Sequence, residues 1–356
     1  MKILHSADLH LDTPFAGRTP EQTRFLKKAL LKVPELLAQL ARKENCDLVL
    51  LSGDLFDGPF TRESYLALRN ALEEMAVPVF ISPGNHDFVS SGSPYSAESW
   101  PKNVHIFSRS EIESVVIPEL SCRVYGAGYR SMDCEPLLKS FRAEGEEQYH
   151  IAVLHGDPTQ ANSPYCPVTF NQVLESGLHY LALGHIHKAG SFPAGETLCA
   201  WPGCPMGRGF DEPDTKGAII VTLEDTAKAA FLPLDTPKFY DHEICPGMDA
   251  HAALAALLPA VGDENFYRVT FTGESPALNL AALRSSFDQF PNLELRDRTV
   301  AERDIWGSIS EDTLEGVYFR LLKEAMDGAD DETRNTLTLA ARISRQILDG
   351  QEVRLP

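Results

Sequence analysis

The chain has 356 residues, 43% of them hydrophobic, and its 51 acidic and 32 basic residues leave a formal net charge of -19. The length predicts more than one domain, and the acidic charge argues against tight, sequence-independent binding of DNA by this chain alone, since no segment of it is basic. No apolar run approaches the roughly 20 residues of a membrane-spanning helix, the first residues lack a signal-peptide core, and the seven scattered cysteines predict reduced thiols, so we expect a cytoplasmic protein.

Apolar runs in the first two-thirds of the chain predict buried strands. They are Ile3-Leu4, Leu48-Val49-Leu50-Leu51, Val79-Phe80-Ile81, Ile151-Ala152-Val153-Leu154 and Tyr180-Leu181-Ala182-Leu183. Thr19 predicts the N-cap of a helix that runs to about Asn45, and Thr61 predicts the N-cap of a second helix that ends near Met75. This alternation of strands and helices predicts a layered α/β core.

A short cluster of Asp, His or Asn follows each of these predicted strands. The clusters are Asp8-Leu9-His10, Gly53-Asp54-Leu55-Phe56-Asp57, Gly84-Asn85-His86-Asp87, His155-Gly156-Asp157 and Gly184-His185-Ile186-His187. Because parallel strands end at the same edge of a sheet, we expect the clusters to meet at one edge of one parallel sheet. Imidazole nitrogens and carboxylate oxygens bind divalent Mn, Fe or Zn, and Asp54 is the natural bridge between two ions. Two such ions can share a hydroxide and clamp a phosphoryl group, so the pattern predicts a two-metal phosphoester hydrolase.

Each cluster taken singly has an ordinary structural interpretation. Gly84 and Asn85 are typical of a turn, because both tolerate positive φ, and Gly184-His185-Ile186-His187 is compatible with a solvated strand end. The order of all five clusters, each at a strand end, favours the metal site.

The clusters read D-x-H, G-D-x-x-D, G-N-H-D, H and G-H-x-H, and in this order they resemble the calcineurin-like metallophosphoesterase superfamily. A more specific similarity, strong over residues 1–235, is to bacterial DNA repair exonucleases of the SbcD and YhaO type. Four segments carry it: Ser6–Asp12, Ser52–Asp57, Leu181–Lys188 and Trp201–Glu212. The resemblance implies a layered α/β/β/α sandwich with a small α+β cap domain and a C-terminal helical tail.

The resemblance also implies the roles of individual residues. The first metal would be held by Asp8, His10, Asp54 and His187, and the second by Asp54, Asn85, His155 and His185. His86 would be the catalytic residue, not a ligand, which stabilises the transition state or protonates the leaving oxygen. Asp57 and Asp87 would orient histidines. Archaeal and eukaryotic relatives often carry histidine where Asp57 stands, which bears on the mode of cleavage.

Three features near the clusters can each be interpreted in two ways. Asp12 belongs to the site or, as we favour, to a turn with Thr13-Pro14. Arg208 faces a phosphate or caps a loop. The stretch 156–167, rich in Pro, Ser and Asn, shapes substrate access or is an ordinary surface connection.

We predict three segments: a catalytic domain over residues 1–235, an α+β cap over 236–300 and a helical tail over 301–356. The cap should contain strands and helices at Lys238–Ile244, Ala250–Leu258, Tyr267–Phe271, Leu278–Phe287 and Leu293–Arg296. In the resembled nucleases the cap guides DNA and the tail docks an SMC-like ATPase. The alternative is that the cap and the tail only pack against the rest of the chain and bind no ligand or partner. The first tail helix carries an apolar stripe, for which we favour a place in the core. This stripe consists of Leu314, Val317, Tyr318, Leu321, Leu322 and Ala325.

The sequence therefore predicts a phosphodiesterase acting as a DNA repair nuclease, with two divalent ions, by preference manganese, while Fe, Zn or Mg stay open. Its expected partners are DNA, an SMC-like ATPase and a second copy of the chain, and no P-loop is present that would hydrolyse ATP here. Three alternatives stay open: a phosphodiesterase or phosphatase acting on nucleotides or phosphoproteins, a scaffold with residual activity, and a nucleic-acid-binding subunit.

Overall fold

A computed structural model describes residues 1–213, 215–247, 249–301 and 305–350. The chain divides into two compact units. The first comprises Met1–Tyr240 and Glu264–Tyr267, and the second Asp241–Asp263 and Arg268–Pro356. The three-segment division at residues 235 and 300 stays a prediction, and residues 302–304 and 351–356 of the predicted tail lie outside the described residues.

The first unit holds most of the strands. They are β1 (Lys2–Ser6), β2 (Leu48–Leu51), β3 (Val79–Ile81), β4 (Val104–Ile106), β5 (Glu113–Ile117), β6 (Cys122–Gly126), β7 (Tyr149–His155), β8 (Tyr180–Gly184), β9 (Gly190–Ala194), β10 (Thr197–Trp201), β11 (Gly217–Leu223) and β12 (Ala227–Pro233). Its helices are α1 (Pro20–Lys43), α2 (Arg62–Met75), α3 (Pro94–Ala97) and α4 (Phe170–Glu175), with a 3-10 turn at Pro118–Leu120.

These strands form two six-stranded sheets, in the orders β12-β11-β1-β2-β3-β4 and β5-β6-β7-β8-β10-β9. In the first sheet β1 to β4 are parallel, with Ile3 opposite Leu48, and β11 runs antiparallel to β1. In the second sheet β6, β7 and β8 are parallel. The five clusters therefore follow strands of two sheets, and the expectation of a single parallel sheet is wrong.

Three apolar cores separate the layers. Leu4 of β1 belongs to the core beneath α1 and α2, whereas its neighbour Ile3 belongs to the core between the two sheets. Leu181 of β8 belongs to the core beneath α4. Successive strand residues point to opposite faces, so a strand that is apolar on both faces suits a sheet covered on both sides. The layered α/β/β/α fold is confirmed.

The two first helices begin where their N-caps predict. Thr19 and Gln22 form a reciprocal capping box at the start of α1, and Thr61 and Ser64 form one at the start of α2. The Asp12 carboxylate accepts hydrogen bonds from the amide and hydroxyl of Thr61 and from the Ser64 hydroxyl. Asp12 therefore secures the start of α2.

The remaining elements follow residue 238. They are β13 (Phe239–Ile244), α5 (Ala250–Leu257), β14 (Phe266–Phe271), β15 (Glu274–Ser275), α6 (Leu280–Ser285), β16 (Leu293–Asp297), β17 (Val300–Ala301), α7 (Leu314–Met326) and α8 (Asp331–Leu348). Strands β13, β14 and β16 form a three-stranded sheet, and β15 pairs with β17. None of the described helices is both long and apolar enough to cross a membrane.

The predicted apolar stripe on α7 is mostly exposed. Leu314 is 89% exposed and Leu321 60%, and Val317 and Tyr318 are exposed as well. Phe319 is instead fully buried and packs with Ile305 and Ala341. The favoured place of the stripe in the core is therefore wrong for most of its members.

Candidate metal centre

Four of the predicted site residues have left-handed backbone conformations. The φ angles are 53° at Asp8, 47° at His10, 50° at Asp54 and 89° at His185. Non-glycine residues rarely adopt positive φ, and Asp and His are among those that tolerate it best. Each of the four lies one to four residues past the end of β1, β2 or β8. Local strain of this kind is typical of functional sites.

Backbone hydrogen bonds hold these strand ends together. The Asp8 amide donates to the Gly53 carbonyl at 3.0 Å, and the His10 amide donates to the Asp54 carbonyl at 2.9 Å. The His185 amide donates to an Asp8 carboxylate oxygen at 3.0 Å, which connects the end of β8 in the second sheet to the end of β1 in the first. The clusters from both sheets therefore meet at one place.

The described Asp, Glu, His and Cys residues form three groups with candidate ligand atoms within 4.8 Å of one another. The groups are Asp8 with His10 and His187, His10 with Asp54 and His86, and Asp8 with Asp54 and His155. They overlap, so six of the predicted site residues share one cluster. His86, predicted to be catalytic and not a ligand, belongs to one of these groups, and His185 belongs to none of them.

Asn85 and His185 lie beside His155. Asn85 Oδ1 is 2.9 Å from His155 Nε2, and the rings of His155 and His185 meet edge to face with 5.3 Å between their centroids. Tyr165 lies in the loop after His155, and its ring centroid is 4.7 Å from the centroid of the His185 ring. The 156–167 stretch thus contacts a predicted site residue.

The His155 ring is oriented for a cation at Nε2. Its Nδ1 lies 2.8 Å from the Ser52 carbonyl, which can only accept a hydrogen bond. Nδ1 therefore carries a proton, and Nε2 faces the Asn85 oxygen and Asp54 Oδ2, the latter at 3.3 Å. Burial lowers the pKa of His155, but the charge and hydrogen bond of Asp54, the charge of Asp8 and the Ser52 carbonyl together outweigh burial and raise this pKa to about 10. Three atoms that attract a cation converge here.

His10 and His187 point their Nε2 atoms at each other, 3.1 Å apart. At least one lone pair faces this gap, which suits a metal ion. Burial raises the pKa of the nearby Asp8 carboxyl, and a bound cation would oppose that shift. Among the buried side-chain atoms that the structure describes, His10 Nδ1 has no hydrogen-bond partner. The donor set and its geometry fit divalent cations.

His86 and Asp57 form a pair at the exposed side of the cluster. His86 Nδ1 lies 3.0 Å from Asp57 Oδ1, and 41% of the His86 side chain is exposed. The hydrogen bond to Asp57 raises the pKa of His86 above its ordinary value, although burial opposes the shift. His10 and His86 hold the pKa of Asp57 well below its usual range. Asp57 therefore contacts the His86 ring, and its role in orienting that ring stays a prediction.

Asp87 has different contacts from the predicted ones. Its buried carboxylate accepts from the amides of Gly84 and Leu55 at 2.8 and 2.7 Å, and from the Tyr95 hydroxyl at 2.5 Å. Asp87 thus ties the loop after β3 to the loop after β2 and does not orient a histidine ring through these bonds.

The sequence does not predict Glu212 as a site residue, and it leaves two interpretations open for Arg208. Glu212 Oε1 lies 2.7 Å from His187 Nδ1, and Arg208 Nη2 lies 2.6 Å from the same carboxylate oxygen. Burial raises the pKa of Glu212, but hydrogen bonds from His187 and Arg208 outweigh this and hold the pKa well below its usual range. The Arg-x-x-x-Glu spacing in the Trp201–Glu212 segment is the available signal, but it is common in unrelated proteins.

A four-layer sandwich that gathers carboxylates and imidazoles at the ends of strands from two sheets defines a metallohydrolase. The profile of the calcineurin-like phosphoesterase family matches residues 1–189, and the chain belongs to this family. Proteins of the family typically bind two metal ions, for which the three groups above supply candidate ligands.

Among known proteins, the chain is 33% identical over 235 residues to an uncharacterized metallophosphoesterase, YhaO, of Bacillus subtilis (62% of this chain, 57% of YhaO). It is 24% identical over 273 residues to SbcD, a subunit of the nuclease SbcCD, of the same organism (65% and 68%). It is 26% identical over 170 residues to the 3',5'-cyclic adenosine monophosphate phosphodiesterase CpdA of Haemophilus influenzae (46% and 58%). The chain thus spans little more than half the length of YhaO.

Proposed function

We propose that this chain is a dimetal-dependent phosphodiesterase that cleaves DNA as a repair nuclease of the SbcD type. The observation that carries the proposal is the convergence of candidate ligands on Asp54 from the ends of strands in two sheets. Similarity to a protein of the nuclease SbcCD supports DNA as the substrate.

We assign the predicted ligands to two ions, of which manganese is our choice. Asp8, His10, Asp54 and His187 would hold the first, and Asp54, Asn85, His155 and His185 would hold the second. Two divalent ions supply Lewis acidity to a phosphoryl group. The residues themselves supply orientation, because Ser52 fixes the His155 ring and the left-handed backbone aims Asp8 and Asp54 at one point.

His86 is the proton donor in this proposal. Asp57 binds its Nδ1 at 3.0 Å, which leaves Nε2 as the nitrogen that can reach a substrate. His86 is the most exposed histidine of the cluster groups, so its ring meets an incoming phosphodiester while the other rings are screened. A histidine in this position can protonate the leaving oxygen.

The test is hydrolysis of a labelled DNA duplex and single strand with Mn(II), beside bis-p-nitrophenyl phosphate. Asp54→Asn should abolish both activities, whereas Asp225→Asn, the same change in the exposed turn between β11 and β12, should keep them. DNA cleavage that persists in Asp54→Asn would refute the assignment of the site.

Hydrolysis of nucleotides is the second candidate, favoured by the net charge of -19 and by the similarity to CpdA. A chain that hydrolyses the small diester and cyclic nucleotides but leaves DNA intact, alone and with an ATPase partner, would establish it in place of the nuclease.

The exposed apolar stripe on α7 supports a partner-docking role for the tail. We propose an SMC-like ATPase as the partner and a dimer of this chain as the assembly. The free cysteines fit a reducing compartment, and we place the protein in the cytoplasm.

A further inference from the structure

Three residues in the segment that follows β10 approach the backbone carbonyl of His187. The amide of Cys204 donates to the His187 carbonyl at 3.3 Å, and Lys216 Nζ donates to the same oxygen at 3.4 Å. A side chain at Gly203 would place its Cβ 2.7 Å from that carbonyl. The segment therefore fixes the backbone of His187 independently of the contacts of its ring.

The His187 ring has two charged partners at one nitrogen. Nδ1 lies 2.7 Å from Glu212 Oε1 and 2.9 Å from Arg208 Nη2. A carboxylate accepts hydrogen bonds and a guanidinium only donates them, whereas a neutral imidazole carries its proton on one nitrogen alone. Glu212 therefore requires a proton on Nδ1, and Arg208 would require a lone pair there. The two partners favour opposite tautomers.

Several contacts favour Glu212 in this competition. Its side chain is 7% exposed, and it accepts from the Arg208 amide at 2.9 Å and from the Arg208 guanidinium at 2.6 Å. Arg208 is thus already engaged by the carboxylate, and its charge keeps that carboxylate ionised and in place. The opposite nitrogen of His187, Nε2, faces His10 Nε2 within the group that includes Asp8.

We propose that Glu212 is a positioning residue that holds His187 in the Nδ1-protonated tautomer, so that Nε2 presents a lone pair to the metal, and that Arg208 acts on His187 only through Glu212. The inference rests on the proposed function, in which His187 is a metal ligand. Carboxylates that accept from the second nitrogen of a metal-binding histidine fix its tautomer in this way.

This arrangement makes the two partners unequal. In Glu212→Ala, Arg208 becomes the charged partner of Nδ1 and selects the tautomer whose Nε2–H blocks the metal. In Arg208→Ala, Glu212 still accepts from Nδ1. The double variant lacks both charged partners of Nδ1, so no partner selects the unfavourable tautomer. It should therefore bind metal better than Glu212→Ala alone. A purely structural ion pair would instead make the two single variants similar.

The experiment is calorimetric titration of the metal-free full chain with Mn(II), together with nitrogen NMR of the histidine rings after Zn(II) loading. Glu212→Ala should weaken one of the two sites by roughly 10- to 100-fold, Arg208→Ala by less than about threefold, and Glu212→Gln by an intermediate factor because its amide oxygen can still accept. Glu147→Ala, the same change in the pair with Arg123, should leave both sites intact.

Glu212→Ala with unchanged affinity, or Arg208→Ala as weak as Glu212→Ala, would overturn the inference. If Glu212→Ala does not fold, Glu212→Gln decides, and unchanged affinity there has the same meaning. The variant His187→Ala distinguishes a failure of the proposed metal ligands from a failure of the role proposed for Glu212. If it keeps both metals, the ligand assignment fails, whereas loss of one metal in His187→Ala but not in the Glu212 variants refutes only the role of Glu212.

Discussion

Asp54 illustrates how one buried carboxylate can organise a site. Its Oδ1 accepts from the His86 amide at 2.9 Å, and its Oδ2 lies 3.3 Å from His155 Nε2 and 3.8 Å from His10 Nε2. It thus contacts the clusters that follow β1, β3 and β7. The bridging role predicted for it needs this central position, which follows from the left-handed turn at the end of β2.

Replacing His86 by alanine tests whether it is a catalyst or a ligand, since one of its ring nitrogens lies within 4.8 Å of candidate ligand atoms of His10 and Asp54. We expect turnover of bis-p-nitrophenyl phosphate to fall by roughly 10²- to 10⁴-fold, the range for loss of a general acid. Metal content by mass spectrometry should stay at the wild-type value. Loss of a metal ion in His86→Ala would show that His86 is a ligand.

His5 should account for part of the decrease in the free energy of unfolding at acidic pH. It is buried against Tyr180, Ser52 and the Leu183 carbonyl, and burial lowers its pKa to about 3. In the unfolded chain this histidine takes up a proton near pH 6.5, but in the folded chain it does not until about pH 3. Acidification across that interval therefore favours unfolding, by roughly 1.4 kcal/mol per pH unit.

Urea unfolding of the chelated protein from pH 7 to pH 4 measures this contribution. His5→Gln should reduce the dependence of the unfolding free energy on pH, whereas His251→Gln, at an exposed position, should not. Equal slopes for His5→Gln and the wild type would contradict the assignment.

Residue types and spacing were enough to predict that side chains from these clusters meet, because five such clusters in this order, each after a strand, rarely occur by chance. They could not predict Glu212 or the contacts of Asp87. Glu212 reaches His187 across a turn 25 residues later, and Asp87 binds backbone amides whose directions depend on the folded loops.

At the scale of elements, the loops after β2 and β3 cross closely enough to require glycine. A Cβ at Gly84 would lie 2.2 Å from Asp54 Oδ1 and 2.7 Å from the Asp54 amide nitrogen, and a Cβ at Gly53 would lie 2.7 Å from His155 Nδ1. The two loops can approach this closely only because both positions lack side chains.

Gly84→Ala should therefore displace Asp54. We expect metal affinity to fall and the free energy of unfolding to drop by roughly 1 to 3 kcal/mol, as for other overpacked sites. Gly92→Ala is the matched control, because a Cβ there meets nothing within 4 Å. Metal titration and urea unfolding measure both effects, and a Gly84→Ala protein that binds metal normally would refute the close approach.

Helices were more predictable than sheets. Thr19 and Thr61 mark the starts of α1 and α2 through local capping bonds, and such bonds depend only on residues three positions apart. Assignment of strands to two sheets depends on pairings such as His155 with Gly184 and Ser6 with Leu51. Those pairings are not encoded locally, so a single sheet was the simpler but incorrect expectation.

At the scale of the whole molecule, charge limits what the chain can bind without help. With a net charge of -19 it should release few counterions from DNA. We expect the chain alone, as the His86→Ala variant that prevents cleavage, to bind a DNA duplex with Kd of about 10⁻⁴ M or weaker at physiological salt and with a shallow salt dependence. Fluorescence anisotropy across a salt series measures both. Tight binding with a steep salt dependence would point to a basic surface that composition conceals.

The left-handed backbone at Asp8, His10 and Asp54 has an evolutionary consequence. Each such residue costs the folded state of the order of 1 kcal/mol or more, and glycine would adopt the same turns without that cost. At Asp8 and Asp54, glycine would also leave the amides of His185 and His86 without their carboxylate acceptors. A laboratory selection for heat resistance alone should therefore enrich glycine at His10 before the other two positions, and the surviving clones should be inactive. The presence of Asp and His at these positions of the chain would then show that selection for catalytic activity has outweighed selection for stability.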